Sequence, residues 1–178
     1  MGKKTIMIVI ALLLITMMAY AQESPKNRVL GIERQTWIDT IKELKIEFSQ
    51  EFLDDIAKNE KTLKIRWNTE NFQKLGANTR RDNPLFKKKR RYRYMASTDL
   101  SKTDFARVIG FLPEMKEKLS EDRVAGYLPY IALCLNEGMR FTDIEFYIRR
   151  DADSPSDIAY ERLYRELKFF VENREFVH

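Results

Sequence analysis

The stretch ERQTWIDTIKELKIEFSQEFLDDI, residues 33–56, decides the class of the fold. Within it Trp37, Ile41, Leu44, Phe48, Phe52 and Ile56 recur at spacings of 4, 3, 4, 4 and 4. An α-helix turns once in about 3.6 residues, so this spacing draws a single apolar stripe along one helical face. Lys42, Glu43, Lys45, Glu47 and Asp54 occupy the other side, as expected of a helix packed on a core. The pattern predicts one continuous helix from Glu33 through Ile56.

Further along the chain, Leu63, Ile65 and Trp67 alternate with Lys64 and Arg66, a period of two that predicts a short strand. Arg91-Tyr92-Arg93-Tyr94-Met95 alternates in the same way, so residues 63–67 and 91–95 are candidates for a small two-stranded β-ribbon. Between them, Thr69 is placed to cap a short helix from Glu70 to Leu75 that Gly76 would stop. Helical spacing then returns. Ser101 is a candidate N-cap, followed by the stripe Phe105, Val108, Ile109 and Leu112, and Pro113 suits the first turn of a following helix. Gly126 and Pro129 interrupt the next apolar run, which predicts a helix break there, because an interior proline costs about 3 kcal/mol. Tyr130 to Leu135 is nearly all apolar and belongs in the core. Gly138 suits a helix stop, and Thr142-Asp143-Ile144-Glu145 reads as a capping box opening a helix through Arg150. Ser154-Pro155-Ser156-Asp157 opens a last helix whose buried face would be Tyr160, Leu163, Tyr164, Leu167, Phe170 and Val171. The expectation is a mainly α globular domain of five to seven helices, with the small ribbon added.

The N-terminus has the three parts of a secretory signal. Lys3 and Lys4 are the positive region, Ile6 to Met18 is an apolar run of 13 residues, and Ala19-Tyr20-Ala21 is a small-x-small cleavage pattern. Residues 1–21 are therefore expected to be a signal peptide of bacterial style, and residues 22–32 a polar lead-in. Residues 33–178 form the domain, with a basic loop at 77–94. The alternative is an uncleaved anchor: 18 residues, 5 to 22, carry no charge, the lower edge of what spans a bilayer. Both readings place the domain outside the cytoplasm, periplasmic or secreted.

Composition narrows the chemistry. One His excludes a multi-histidine metal site, and one Cys excludes an internal disulfide, an iron–sulfur cluster or a zinc ribbon. The lone His178 is the last residue, so a serine or cysteine nucleophile would lack an imidazole base. Asp54-Asp55 and Glu121-Asp122 are neighbours that point to different sides of a helix, so neither pair converges as a glycosidase pair must. No phosphate loop or dinucleotide fingerprint is present. The sequence reading therefore assigns no catalytic residue, metal or cofactor.

The sharpest chemical feature is Arg80 to Tyr94. It holds eight cations (Arg80, Arg81, Lys87, Lys88, Lys89, Arg90, Arg91 and Arg93) against Asp82 alone, with Phe86, Tyr92 and Tyr94 interleaved. The whole chain carries only +5, so this segment is strongly basic and the rest of the exported chain is acidic. Beyond the membrane the anions on offer are lipid headgroups, lipopolysaccharide phosphates, acidic glycans and acidic proteins. The expected function is an exported cell-envelope binding or assembly component that uses these residues against such a partner. An envelope hydrolase working through carboxylates is the alternative. A helix-turn-helix nucleic-acid binder, from Leu133 to Ile148, is a remote one, because Arg149 and Arg150 sit at the wrong end of the second helix. Ten of the 21 aromatics fall between Tyr127 and Phe176. Most of these read as core, while some of the tyrosines with Arg149, Arg150 and Arg162 are candidates for a groove.

Overall fold

A computed structural model describes residues 27–78 and 96–174. These residues form a short antiparallel hairpin and six helices: β1 (Arg28–Val29), β2 (Ile32–Glu33), α1 (Arg34–Glu43), α2 (Phe52–Asn78), α3 (Lys102–Lys118), α4 (Glu121–Asn136), α5 (Phe141–Asp151) and α6 (Ser156–Arg174). The mainly helical class with one small two-stranded sheet is as expected from the sequence. The signal segment and residues 91–95 of the expected ribbon lie outside the described residues.

Helix α4 is the centre of the molecule. Val124, Ala125, Tyr127, Leu128, Ile131, Ala132, Leu133 and Cys134 are all buried, so apolar side chains cover nearly its whole circumference. A helix apolar all round has to be surrounded, and α2, α3, α5 and α6 pack around this one. The buried residues form one continuous hydrophobic cluster. Pro129 is inside α4 and buried, and Pro113 is inside α3. The break expected at Gly126–Pro129, and the new helix expected at Pro113, are therefore corrected. Each proline removes one ladder hydrogen bond, and burial of the surrounding apolar face outweighs that loss.

The long helix predicted over 33–56 is also corrected: it is two helices joined by residues 44–51. Lys45 takes a left-handed φ of 56°, with the Leu44 amide donating to Thr40 O at 3.1 Å and the Ile46 amide to Ile41 O at 3.4 Å, which closes α1. In the connection, the Ser49 amide and hydroxyl both donate to Glu121 at the start of α4, the amide at 2.9 Å. Phe48 stacks on Phe52 with ring centroids 3.8 Å apart. The apolar stripe survives the break because Trp37 and Ile41 of α1 and Phe52 and Ile56 of α2 bury into the same core.

The strand predicted at 63–67, and the separate helix predicted at 70–75, are both part of α2. Leu63 and Trp67 are buried and lie one helical turn apart, whereas Ile65 is 58% exposed. A run apolar at i, i+2 and i+4 satisfies period two, and here only its ends face the core. The two-stranded sheet lies instead at the end of the expected polar lead-in and the residue after it, pairing Arg28 with Glu33 and Val29 with Ile32. Its two-residue turn, Leu30-Gly31, has φ of 51° and 76°. A side chain on Gly31 would come within 2.8 Å of Asp99 Cα. Leu30 is wholly buried despite its left-handed backbone. It is held by its amide donating to Glu60 Oε2 at 3.3 Å and its carbonyl accepting from the Leu100 amide at 2.9 Å.

Other sequence signals hold. The Ser101 side chain accepts from the Asp104 amide at 3.1 Å, and Gly138 follows α4 with φ of 94°. The capping box at Thr142 does not form. Arg140, in extended conformation, is the N-cap of α5, and its guanidinium holds Asp143 at 2.9 and 3.0 Å.

Candidate functional site

The sequence-predicted binding residues Arg80, Arg81, Lys87, Lys88, Lys89, Arg90, Arg91, Tyr92, Arg93 and Tyr94 lie outside the described residues. The chain on either side is described. It leaves through α2, which ends at Asn78, and resumes at Ala96, whose amide donates to Asn68 Oδ1 at 3.0 Å. Thr98, fully buried, then donates to Glu60 Oε1 at 2.5 Å. Both attachments of the basic segment are thus on α2.

One carboxylate of each pair considered for catalysis is in a structural role. Asp54 pairs with Arg34. Glu121 accepts from Ser49 and from Lys116 Nζ at 3.3 Å. Burial pulls its pKa upward, and these donors outweigh that and leave it lowered. Arg149, considered for nucleic-acid contact, forms a two-pronged pair with Glu114 of α3 at 2.7 and 2.9 Å.

A different constellation forms where α5 turns into α6. Arg150, Arg162, Arg165 and Glu166 line an open cleft of about 500 Å³. Behind it is Asp151, only 1% exposed. Asp151 Oδ1 accepts from Arg150 Nε at 3.3 Å and from Arg162 Nη1 at 3.1 Å. A buried carboxylate is stable only when paired. Here the pairing also aims two guanidiniums, on side chains that stay 42% and 43% exposed. From the other side, Arg123 of α4 donates to the Asp151 and Ala152 carbonyls at 3.0 and 2.9 Å, tying the end of α5 to the core. Tyr160 donates to the Arg123 carbonyl at 3.1 Å, so the same tie reaches α6.

An arginine presents five N–H groups in a fixed fork. Arg150 spends one on Asp151, and its guanidinium lies 5.1 Å from the Tyr147 ring and 5.9 Å from the Phe146 ring. Arg162 spends its Nη1 on Asp151 and Ser154. Arg165 spends only Nε, on the Glu161 carbonyl at 3.3 Å. The remaining N–H groups have no acceptor among the described residues. The Tyr147 hydroxyl donates to Glu166 at 3.3 Å, and burial, then the facing Glu166 charge, pushes its pKa up. The cleft can therefore take an anion through Arg150, Arg162 and Arg165, and Glu166 adds an acceptor at its edge.

Beside the cleft, the tyrosines singled out as core or groove mostly pack. Tyr127 and Tyr164 are fully buried. Tyr130 stacks on Tyr160 at 5.7 Å, and the Arg66 guanidinium sits 4.0 Å from the Tyr164 ring centroid. Burial pushes the Tyr164 phenol up to about 12. No family model, curated protein or solved structure matches this chain.

Arg150 and Arg162 are among the groove candidates legible in the sequence; Asp151 and Arg165 are not among them. The readable signal was the spacing Ile158, Arg162, Arg165, Phe169, a helical face with two cations between two apolar side chains.

Proposed function

We propose that the chain is an exported, non-enzymatic binding or assembly component of the cell envelope, and that it holds an anionic partner through the basic segment. The observation that carries this reading is charge segregation. Arg80 to Tyr94 gathers eight cations against one anion in a chain whose total is only +5. Lys and Arg are almost never fully buried unless paired, so such a run serves water or a partner. Its attachments on α2 and at Ala96–Thr98 support the reading, since they tie both ends of the segment to the folded body. The lead Lys3-Lys4, the apolar run and Ala19-Tyr20-Ala21 support export.

The test replaces Lys87, Lys88, Lys89, Arg90 and Arg91 together with Gln. Retention on heparin and on phosphatidylglycerol vesicles should be lost, and in the parent protein it should weaken steeply with salt, because exposed charges are screened beyond about 8 Å at physiological ionic strength. The thermal midpoint should hold, since surface changes usually alter stability by less than about 0.5 kcal/mol. Retention equal to the parent's would overturn the reading. N-terminal sequencing of protein recovered outside the cytoplasm should begin at Gln22, and protein found only in the cytoplasm would refute export.

A further inference from the structure

We infer that the α5–α6 cleft is a docking site for an extended acidic segment of a partner protein, one that carries an aromatic or aliphatic side chain among its carboxylates. The inference rests on the cleft and stands apart from the basic segment.

Three observations on one surface lead to it. The first is charge: Arg150, Arg162 and Arg165 face the cleft against Glu166 alone, and Asp151 fixes two of the three from behind. A guanidinium held this way loses little further freedom on binding, and its fork matches a carboxylate. The second is apolar exposure. Phe146, Ile158 and Phe169 are 60%, 43% and 66% exposed, three of the four large hydrophobic side chains exposed among the described residues. Phe146 adjoins Arg150 on α5, and Ile158 and Phe169 are in line with Arg162 and Arg165 on α6. Arginine beside exposed aromatic and aliphatic side chains is the composition of an interface centre. The third is size. Phe169 is eleven positions after Ile158, a helical rise of about 16 Å, the reach of about five residues of extended chain.

Glu166 separates a peptide from a lipid surface. A peptide brings backbone N–H groups for which Glu166 is an acceptor, and a sheet of lipid phosphates brings none.

The probe is a fluorescein-labelled peptide, acetyl-Glu-Glu-Phe-Glu-Glu-amide, followed by anisotropy, with its lysine-for-glutamate counterpart as control. The full exported chain should bind the acidic peptide and not the control. Arg165→Glu should raise Kd about tenfold or more, the scale of one charge-assisted hydrogen-bonded pair. Phe169→Ser should raise it several-fold. The variant with Gln at positions 87–91 should bind as the parent does, which separates failure of this inference from failure of the function proposed above. Arg165 makes no ion pair among the described residues and Phe169 is exposed, so neither variant removes core packing. If Arg165→Glu nonetheless unfolds, Phe169→Ser and Arg165→Gln read the same surface. No binding by the parent, or binding unchanged in Arg165→Glu and Phe169→Ser, would overturn the inference. So would loss of binding only in the 87–91 variant, which would put the peptide on the basic segment. Loss of phosphatidylglycerol-vesicle binding in Arg165→Glu with peptide affinity intact would assign the cleft to lipid.

Discussion

Replacing glycine with alanine should have opposite effects at two helical positions of this protein. In an exposed helix interior the change is worth about 1 kcal/mol in favour of folding. Gly110 in α3 meets that case, since a Cβ there would find nothing within 4 Å. Gly126 in α4 does not: its Cβ would be 2.5 Å from Tyr160 Cζ, and closer still to the hydroxyl. The Tyr160 ring would have to leave its place. It would lose an edge contact with Tyr127 at 4.8 Å and a stack on Tyr130 at 5.7 Å. Each such pair is worth about 0.5–1.5 kcal/mol. It would also lose the hydrogen bond to the Arg123 carbonyl at 3.1 Å, worth about 0.5–1.5 kcal/mol. Set against the helix gain of about 1 kcal/mol, the net cost is about 2 kcal/mol. For a domain of this size that lowers the thermal midpoint by about 4–8 °C, while Gly110→Ala raises it by about 2–4 °C. Urea unfolding followed by circular dichroism, run on both variants beside the parent, gives the sign and the size. If Gly126→Ala were stabilising like Gly110→Ala, Tyr160 would not be locked against α4 and its tie to Arg123 would not support the cleft.

Asp151→Asn should cost about 1–2 kcal/mol by urea unfolding, less than breaking a fully buried pair, because Arg150 and Arg162 are 42% and 43% exposed and can return to water. The Glu114 carboxyl is held down to about 2, from an ordinary 4.5, by hydrogen bonds from Arg149 and then Lys118. A lowered folded pKa contributes stability above pH 4.5 that is lost as pH falls toward 2. A carbon-detected NMR titration should show Glu114 titrating low in the parent and near its ordinary value in an Arg149→Gln, Lys118→Gln double variant. Cys134 is fully buried and its thiol is pushed up, by desolvation first and then by the Glu137 charge. A maleimide should label it only after denaturation, and rapid labelling of the native protein would contradict its burial.

Local chemistry accounts for what the sequence determined on its own. The helical class, the Ser101 cap, the glycine stop at 138 and the buried face Leu163, Tyr164, Leu167 and Val171 each depend on residues within a turn or two of one another. Spacing and capping are short-range effects, so they are visible in a string of letters. Tertiary structure decided where helices break. No proline or glycine marks residues 44–51, where the chain turns because Ser49 is held by Glu121, 72 positions away. Conversely, Pro129 does not end α4, because the core around it contributes more than the lost hydrogen bond. Leu63, Ile65 and Trp67 read equally well as a strand or a helix until Trp67 packs on Tyr164 at 5.6 Å. The cleft shows the same division. Its arginines and exposed apolar residues are legible as helical spacings, but nothing local indicates that Asp151 would be buried. That follows only when the turn between α5 and α6 folds back and Arg162, eleven positions on, reaches its carboxylate while Arg123 of α4 holds its carbonyl. Burial of a charge is a property of the surroundings, and the surroundings come from distant parts of the chain.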